Sequence, residues 1–201
     1  FSLFNYFARC DGLFTGLQYL SMAIAGFPYM GVGRNLAYKK SLYGAMGGFD
    51  SHRNILSGDD DLFVNKAATR FNTRIEPGKI AQTVSAAKLN FKKWFTQKRR
   101  HTSTGRYYKA HDLAILGALQ ISILLFYPSL VLLLYSGYML FPVLALTAIR
   151  FYSHYLVLKK CTRRLGEQDL LLFSLLFELP IVILNITAAF SNLIIKNSKW
   201  K

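Results

Sequence analysis

Negative charge is scarce in this chain. Of 201 residues only 10 are Asp or Glu, against 25 Lys and Arg, leaving a formal net charge of +15. So basic a chain needs a partner of opposite sign, either anionic lipid or nucleic acid. Cysteine is scarcer still. Cys10 and Cys161 lie far apart, without the close spacing of a zinc site, and read as free thiols rather than a disulfide framework. There is no initiator methionine, no secretory leader, no internal repeat and no low-complexity tract, so the sequence reads as a piece of a longer protein.

Charge is absent altogether from one run. "LAILGALQISILLFYPSLVLLLY", residues 113–135, has none over 23 positions. A bilayer core needs about 20 apolar residues in a helix, so this run is long enough to cross. A second segment, 138–158, is weakened by Arg150 and His154. A third, 170–195, carries Glu178, Pro180 and Asn185 and reads equally as a span or a re-entrant segment. Charged groups inside such segments face protein or snorkel to the interface. Basic clusters flank these runs: "NFKKWFTQKRRH" before the first, "KKCTRR" (159–164) after the second and "KNSKWK" at the end. By the positive-inside rule they belong on the cytoplasmic face. The expectation is a multi-pass protein of the inner (cytoplasmic) membrane. The basic excess then finds its partner in the bilayer, and nucleic acid is set aside.

The polar part, residues 1–106, is expected to precede a membrane part, 107–201. It opens on a helix ended by Gly26 and Pro28. "GVGRN" follows, where Gly31 and Gly33 free the backbone and Arg34 and Asn35 could present donors to an anion or sugar. "NTRIEP" and "IAQTVSA" read as short strands. "LNFKKWFTQKRRH" spaces Phe91, Trp94, Phe95 and Lys98 as one helix face, which suits an interfacial helix near 88–101.

Against this basic background, "SGDDDLF" sets Asp59, Asp60 and Asp61 side by side, three of the ten acids. Adjacent carboxylates repel, and the repulsion favours taking up a proton. The triplet also opens a helix, "DDLFVNKAATRF", where acids suit the positive N-terminal end. One acid suffices for a cap, so three imply a further task. A calcium loop of the EF-hand kind fits poorly, because position twelve from Asp59 is Arg70 rather than Glu.

A glycine loop, a Gly-Gly-Phe, an acidic cluster opening a helix, and Gln-x-x-Arg about 37 residues later before apolar spans form an ordered set. Over roughly residues 10–160 this order resembles the C-terminal half of the membrane-integrated family-2 glycosyltransferases, which include cellulose and hyaluronan synthases, and most of all the bacterial enzymes of the cell envelope. The resemblance implies an α/β fold: the C-terminal part of a GT-A, Rossmann-like nucleotide-diphospho-sugar transferase domain, followed by transmembrane helices. It implies inverting transfer of a sugar from a nucleotide-diphosphate donor to a hydroxyl of a glycan or lipid-linked acceptor. It carries the catalytic base onto Asp60, with Asp59 in support, and leaves Asp61 without a role. "QKRRH" is similar to the family's Gln-x-x-Arg-Trp, which places Gln97 and Arg100 on the diphosphate and acceptor side. His101 stands where the family has Trp, and this departure puts acceptor recognition in question. Gly33, Arg34 and Asn35 are candidate substrate contacts. A divalent metal, Mg or Mn, is implied, with its Asp-x-Asp ligands upstream of residue 1 and none in this chain. The alternative from another class is a non-enzymatic membrane protein, a transporter subunit or scaffold, with an acidic capping or cation-binding turn.

Overall fold

A computed structural model describes residues 2–52, 55, 57–86, 88 and 90–194. The basic "KNSKWK" tail lies outside the described residues, as do Ala87 and Leu89. Among the described residues there are seven helices: α1 (Leu3–Ile24), α2 (Lys40–Ala45), α3 (Asp61–Ala67), α4 (Phe91–Thr104), α5 (Ala110–Ser136), α6 (Leu140–Leu165) and α7 (Leu171–Ile194). Single 3₁₀ turns join several of them.

The α/β expectation is overturned: among the described residues there is no strand and no sheet, so this is not a Rossmann-like domain. "NTRIEP" and "IAQTVSA" fail as strands for local reasons. Pro77 has no N–H for a ladder, and Glu76 Oε1 accepts from Gly78 N at 2.8 Å to close a turn. Lys79–Ala81 then coils into a 3₁₀ turn. Ile80 and Val84 are fully exposed, with no neighbouring strand to cover them.

α1 starts at Ser2, whose Oγ accepts from Asn5 N at 3.2 Å. It ends, as read from the sequence, before Gly26, whose φ of 90° suits a residue without Cβ. Its two charged interruptions are both satisfied inside the protein. Arg9 pairs with Glu167 and Asp169, and Asp11 accepts from Lys98 Nζ at 2.5 Å. The main apolar core joins α1 to α7 through Cys10, Leu13, Leu170, Phe177 and Ile181. Burial pushes the Cys10 thiol up to about 12, so it is an inert filling residue.

α4 begins at Asn90, whose Oδ1 accepts from Lys92 N at 2.9 Å. Its aromatic stripe does not face outward as a unit. Trp94 is buried against the edges of Phe4 and Phe7, whereas Phe91 keeps half its surface. The helix packs most closely on α7.

Among the described residues three helices are long and apolar enough to cross a bilayer: α5, α6, and α7 extended by its preceding turn, with mean hydropathies of 2.0, 1.3 and 2.2. They overlap the three runs read from the sequence, though α6 continues seven residues past 158, through the basic "KKCTRR" segment. At 1.5 Å per residue each is about 39–41 Å long, enough for a hydrocarbon core of about 30 Å. Protein buries none of the apolar window of α5 or α6, but 33% of that of α7. α5 and α7 contain Pro128 and Pro180.

Candidate functional site

The acidic turn starts at Gly58, with φ of 106°; a Cβ there would lie 2.7 Å from Leu62 Cδ1. Only glycine fits, and the backbone reverses so that the three acids leave in different directions. Asp59 is exposed. Asp60 is the N-cap of α3: Oδ1 accepts from Asp61 N at 2.9 Å, and Oδ2 accepts from Gly33 N at 2.7 Å. The approach of the glycine loop is close, since a Cβ on Gly33 would sit 3.2 Å from Asp60 Oδ2.

Asp61 turns inward. Its Oδ1 accepts from Leu62 N at 2.9 Å, and its Oδ2 lies 2.6 Å from both the Thr104 and Tyr108 hydroxyls. Burial, and then the Asp61 charge and its hydrogen bond, hold the Tyr108 phenol well above its usual value, so it stays a donor. The acid without a role in the sequence reading is thus a structural tie between α3 and the end of α4. α3 stops at Ala67, short of the run read from the sequence. There Asn72 Nδ2 donates to Ala67 O at 2.9 Å, and Asn72 Oδ1 accepts from Thr69 N at 2.7 Å. Such side-chain bonds compete with helix continuation.

α4 delivers the "QKRRH" segment to the same place. Gln97 is half-buried one turn before the exposed Arg100 and His101. His101 O lies 2.7 Å from Thr104 Oγ1, which ties that turn to Asp61. Loss of hydration, then the Arg100 charge, holds the His101 imidazole below its ordinary value, while Asp60 and Asp61 pull the other way. Arg34 is exposed beside Gly33. Asn35 is directed elsewhere: its Nδ2 donates to Ala81 O at 2.9 Å.

The site is also joined to the first long apolar helix. Buried Asn65 donates to Tyr29 O at 3.0 Å and to Asp112 Oδ2 at 2.8 Å, and accepts from Lys109 N at 3.2 Å. Asp112 lies in the first turn of α5, where the helix end favours a negative charge. The structure therefore joins Gly33 to Asp60, and through Thr104 ties the end of α4, which bears Arg100 and His101, to Asp61, with Asp59 exposed. Sequence reasoning missed Thr104, Tyr108 and Asn65; the hydroxyl-rich "TSTGRYY" directly after "QKRRH" was the available signal.

Among the described residues no group of three or more His, Cys, Asp and Glu could hold a metal ion. Asp60 and Asp61 already engage N–H and O–H donors, so a divalent ion here would need ligands from elsewhere. A concavity at the end of α1, beside Arg70 and Arg74, contains none of the site residues. Comparison with family models, with curated proteins and with solved structures returned no match.

Proposed function

We propose that this chain carries the acceptor-activating part of a membrane-bound glycosyltransferase that uses a nucleotide-diphosphate sugar. One observation carries the reading: Asp60 is fixed by two backbone N–H groups between a glycine loop and the helix end that bears Arg100 and His101. Each carboxylate oxygen has a second lone pair, so the held carboxylate can still accept a proton. In the reaction, the acceptor hydroxyl gives its proton to Asp60 as its oxygen bonds to the anomeric carbon. The bond from that carbon to the diphosphate breaks, and the electron pair leaves with the diphosphate. Arg100, exposed and always charged, meets that growing negative charge with a two-donor fork. His101, kept neutral, can hydrogen-bond a sugar hydroxyl without adding charge. The acceptor class is a glycan or a lipid-linked sugar, at the cytoplasmic face of the inner membrane. A divalent ion on the donor phosphates belongs to the same proposal, with ligands outside the described residues.

The N-cap role of Asp60 favours a second reading, in which the acids are only a folding device in a non-enzymatic membrane protein. Asp60→Asn separates the two: its one amide oxygen keeps the cap bond to Asp61 N, gives up the bond to Gly33 N, and does not take a proton. In native membranes supplied with a panel of nucleotide sugars, transfer should fall about 10²–10⁴-fold while the protein remains inserted. Activity within about threefold of wild type would reject the base, and an equal loss on Asp59→Asn alone would move it one residue.

A further inference from the structure

Away from the candidate site, the three apolar helices converge on one carboxylate. Glu178 of α7 is buried. Tyr127 of α5 donates to its Oε2 at 2.5 Å. Arg150 of α6 donates from Nη2 to Oε2 at 2.9 Å and to Oε1 at 3.1 Å. His154 Nδ1 of α6 lies 3.6 Å from Oε1. The guanidinium carbon of Arg150 sits 4.0 Å from the centre of the Phe126 ring and 5.2 Å from that of Phe151. Its Nη1 is buried with no hydrogen-bond partner. Glu178 therefore supplies the carboxylate for this guanidinium.

The three helices do not need this cluster equally. α6 has a mean hydropathy of 1.3, against 2.0 for α5 and 2.2 for the α7 segment. It is the helix that brings the arginine and the histidine. α5 contributes only a neutral phenol. α7 is apolar enough to carry one carboxylate. The cationic helix is thus the least apolar, and its counter-charge lies 28 residues further along the chain.

We propose that Glu178 is the counter-charge that admits α6 to the bilayer, so that α6 becomes a span only when α7 joins it. A charged side chain in a span costs most when it stands alone. The Phe126 ring of α5 and the Phe151 ring of α6 are already beside Arg150 before α7 joins, but they bring no counter-charge; that comes only with Glu178 of α7.

Cys161, half-buried near the end of α6 among Lys159, Lys160, Arg163 and Arg164, is a native reporter of which side that end reaches. If α5 and α6 both cross, Cys161 returns to the side of α4; if α6 fails to cross, Cys161 stays on the opposite side. The experiment uses the full chain in sealed vesicles of both orientations, treated with a membrane-impermeant maleimide. Peptide mass spectrometry separates Cys161 from the buried Cys10.

In Glu178→Leu, labelling of Cys161 from the α4 side should fall about tenfold and appear on the opposite side. Adding Arg150→Leu to that variant should restore the wild-type side. Arg150→Leu alone should leave Cys161 where it is, because the arginine that needs Glu178 is then gone from α6. If Glu178→Leu is degraded before labelling, recovery of the protein by the second substitution supports the proposal in the same way. Wild-type labelling of Glu178→Leu would overturn it. So would a defect that the double variant does not repair, or a change of side in Arg150→Leu alone.

Discussion

Two carboxylates in this protein are equally hidden and differently served. Asp61 is 7% exposed and Glu178 is 8% exposed. Asp61 takes a backbone N–H and two hydroxyls, all neutral donors. Glu178 takes a phenol and a guanidinium. The difference follows from position. Asp61 stands in the first turn of α3, where the unpaired N–H groups already provide partial positive charge. Glu178 stands inside α7, far from either helix end and among apolar side chains, where the backbone offers nothing. A buried acid can do without a cation at a helix start, but not in the middle of an apolar helix.

The sharpest way to break this contrast is to remove the cation. Arg150→Leu leaves Glu178 buried without its counter-charge, a change that costs about 3–5 kcal/mol in buried pairs. Thermal unfolding in lipid nanodiscs should show a clearly lowered midpoint even though Cys161 keeps its side. An unchanged midpoint would mean that lipid or water serves Glu178 as well as arginine does.

At Asp61 the loss should be smaller, because each donor is neutral and one of two. Tyr108→Phe should cost about 1–3 kcal/mol, the usual range for one lost partner of a buried polar group. Thr104→Val should cost less, since the Thr104 hydroxyl is shared between Asp61 Oδ2 and His101 O. Denaturant titration of the two single variants and the double checks this. A Thr104 effect larger than that of Tyr108 would reverse the order of the two donors.

These two clusters also mark where the sequence stopped being readable. The long apolar helices, the end of α1 at Gly26 and the helix opened by the acidic triplet were legible, because each is written in neighbouring residues. The partners of Asp61 lie 43 and 47 residues away, and those of Glu178 lie 51 and 28 away. No local pattern encodes such pairs, so Asp61 had no role in the sequence reading and Glu178 was only an interruption. The two strands were misread for a related reason. Alternating apolar residues such as those near Ile80 and Val84 make a strand only beside another strand, and none lies there. For the site, Asp60 and Gly33 meet directly and the "QKRRH" segment reaches Asp61 through Thr104, whereas the Asn35 amide is bonded to Ala81 O.

A third comparison sets the two arginines apart. Arg150 lies against aromatic rings and a carboxylate, while Arg100 is exposed on α4, one turn before the Thr104 that is bonded to Asp61. Arg100→Lys keeps the charge but loses the planar fork, and should lower transfer about tenfold, the equivalent of one bond of about 1.4 kcal/mol. Arg99→Lys, about 100° around the helix, should change turnover much less. A strong effect at Arg99 with none at Arg100 would show that the motif is read one residue out of register.

The smallest effect belongs to pH. His101 is held below its ordinary value in the fold, so the unfolded chain takes up its proton first as pH falls. Stability should therefore be full above the ordinary histidine value of about 6.5 and decline as pH drops through it. His101→Gln should flatten part of that decline. Unfolding measured at about pH 7.5 and 5.5 tests it, and a slope that persists in His101→Gln would place the titrating group elsewhere.

The prolines give the Glu178 cluster a mechanical meaning. Pro128 follows Tyr127 directly, and Pro180 lies two residues after Glu178. Each removes one rung of the helix ladder, at the carbonyls of Leu124 and Leu176, and proline is where long helices bend. Two of the three rods that meet at this knot are therefore weakest within a turn of it. Should α5 and α7 lie in a bilayer that thins or thickens, the place where each rod gives most easily is beside this knot, which then serves as their common pivot.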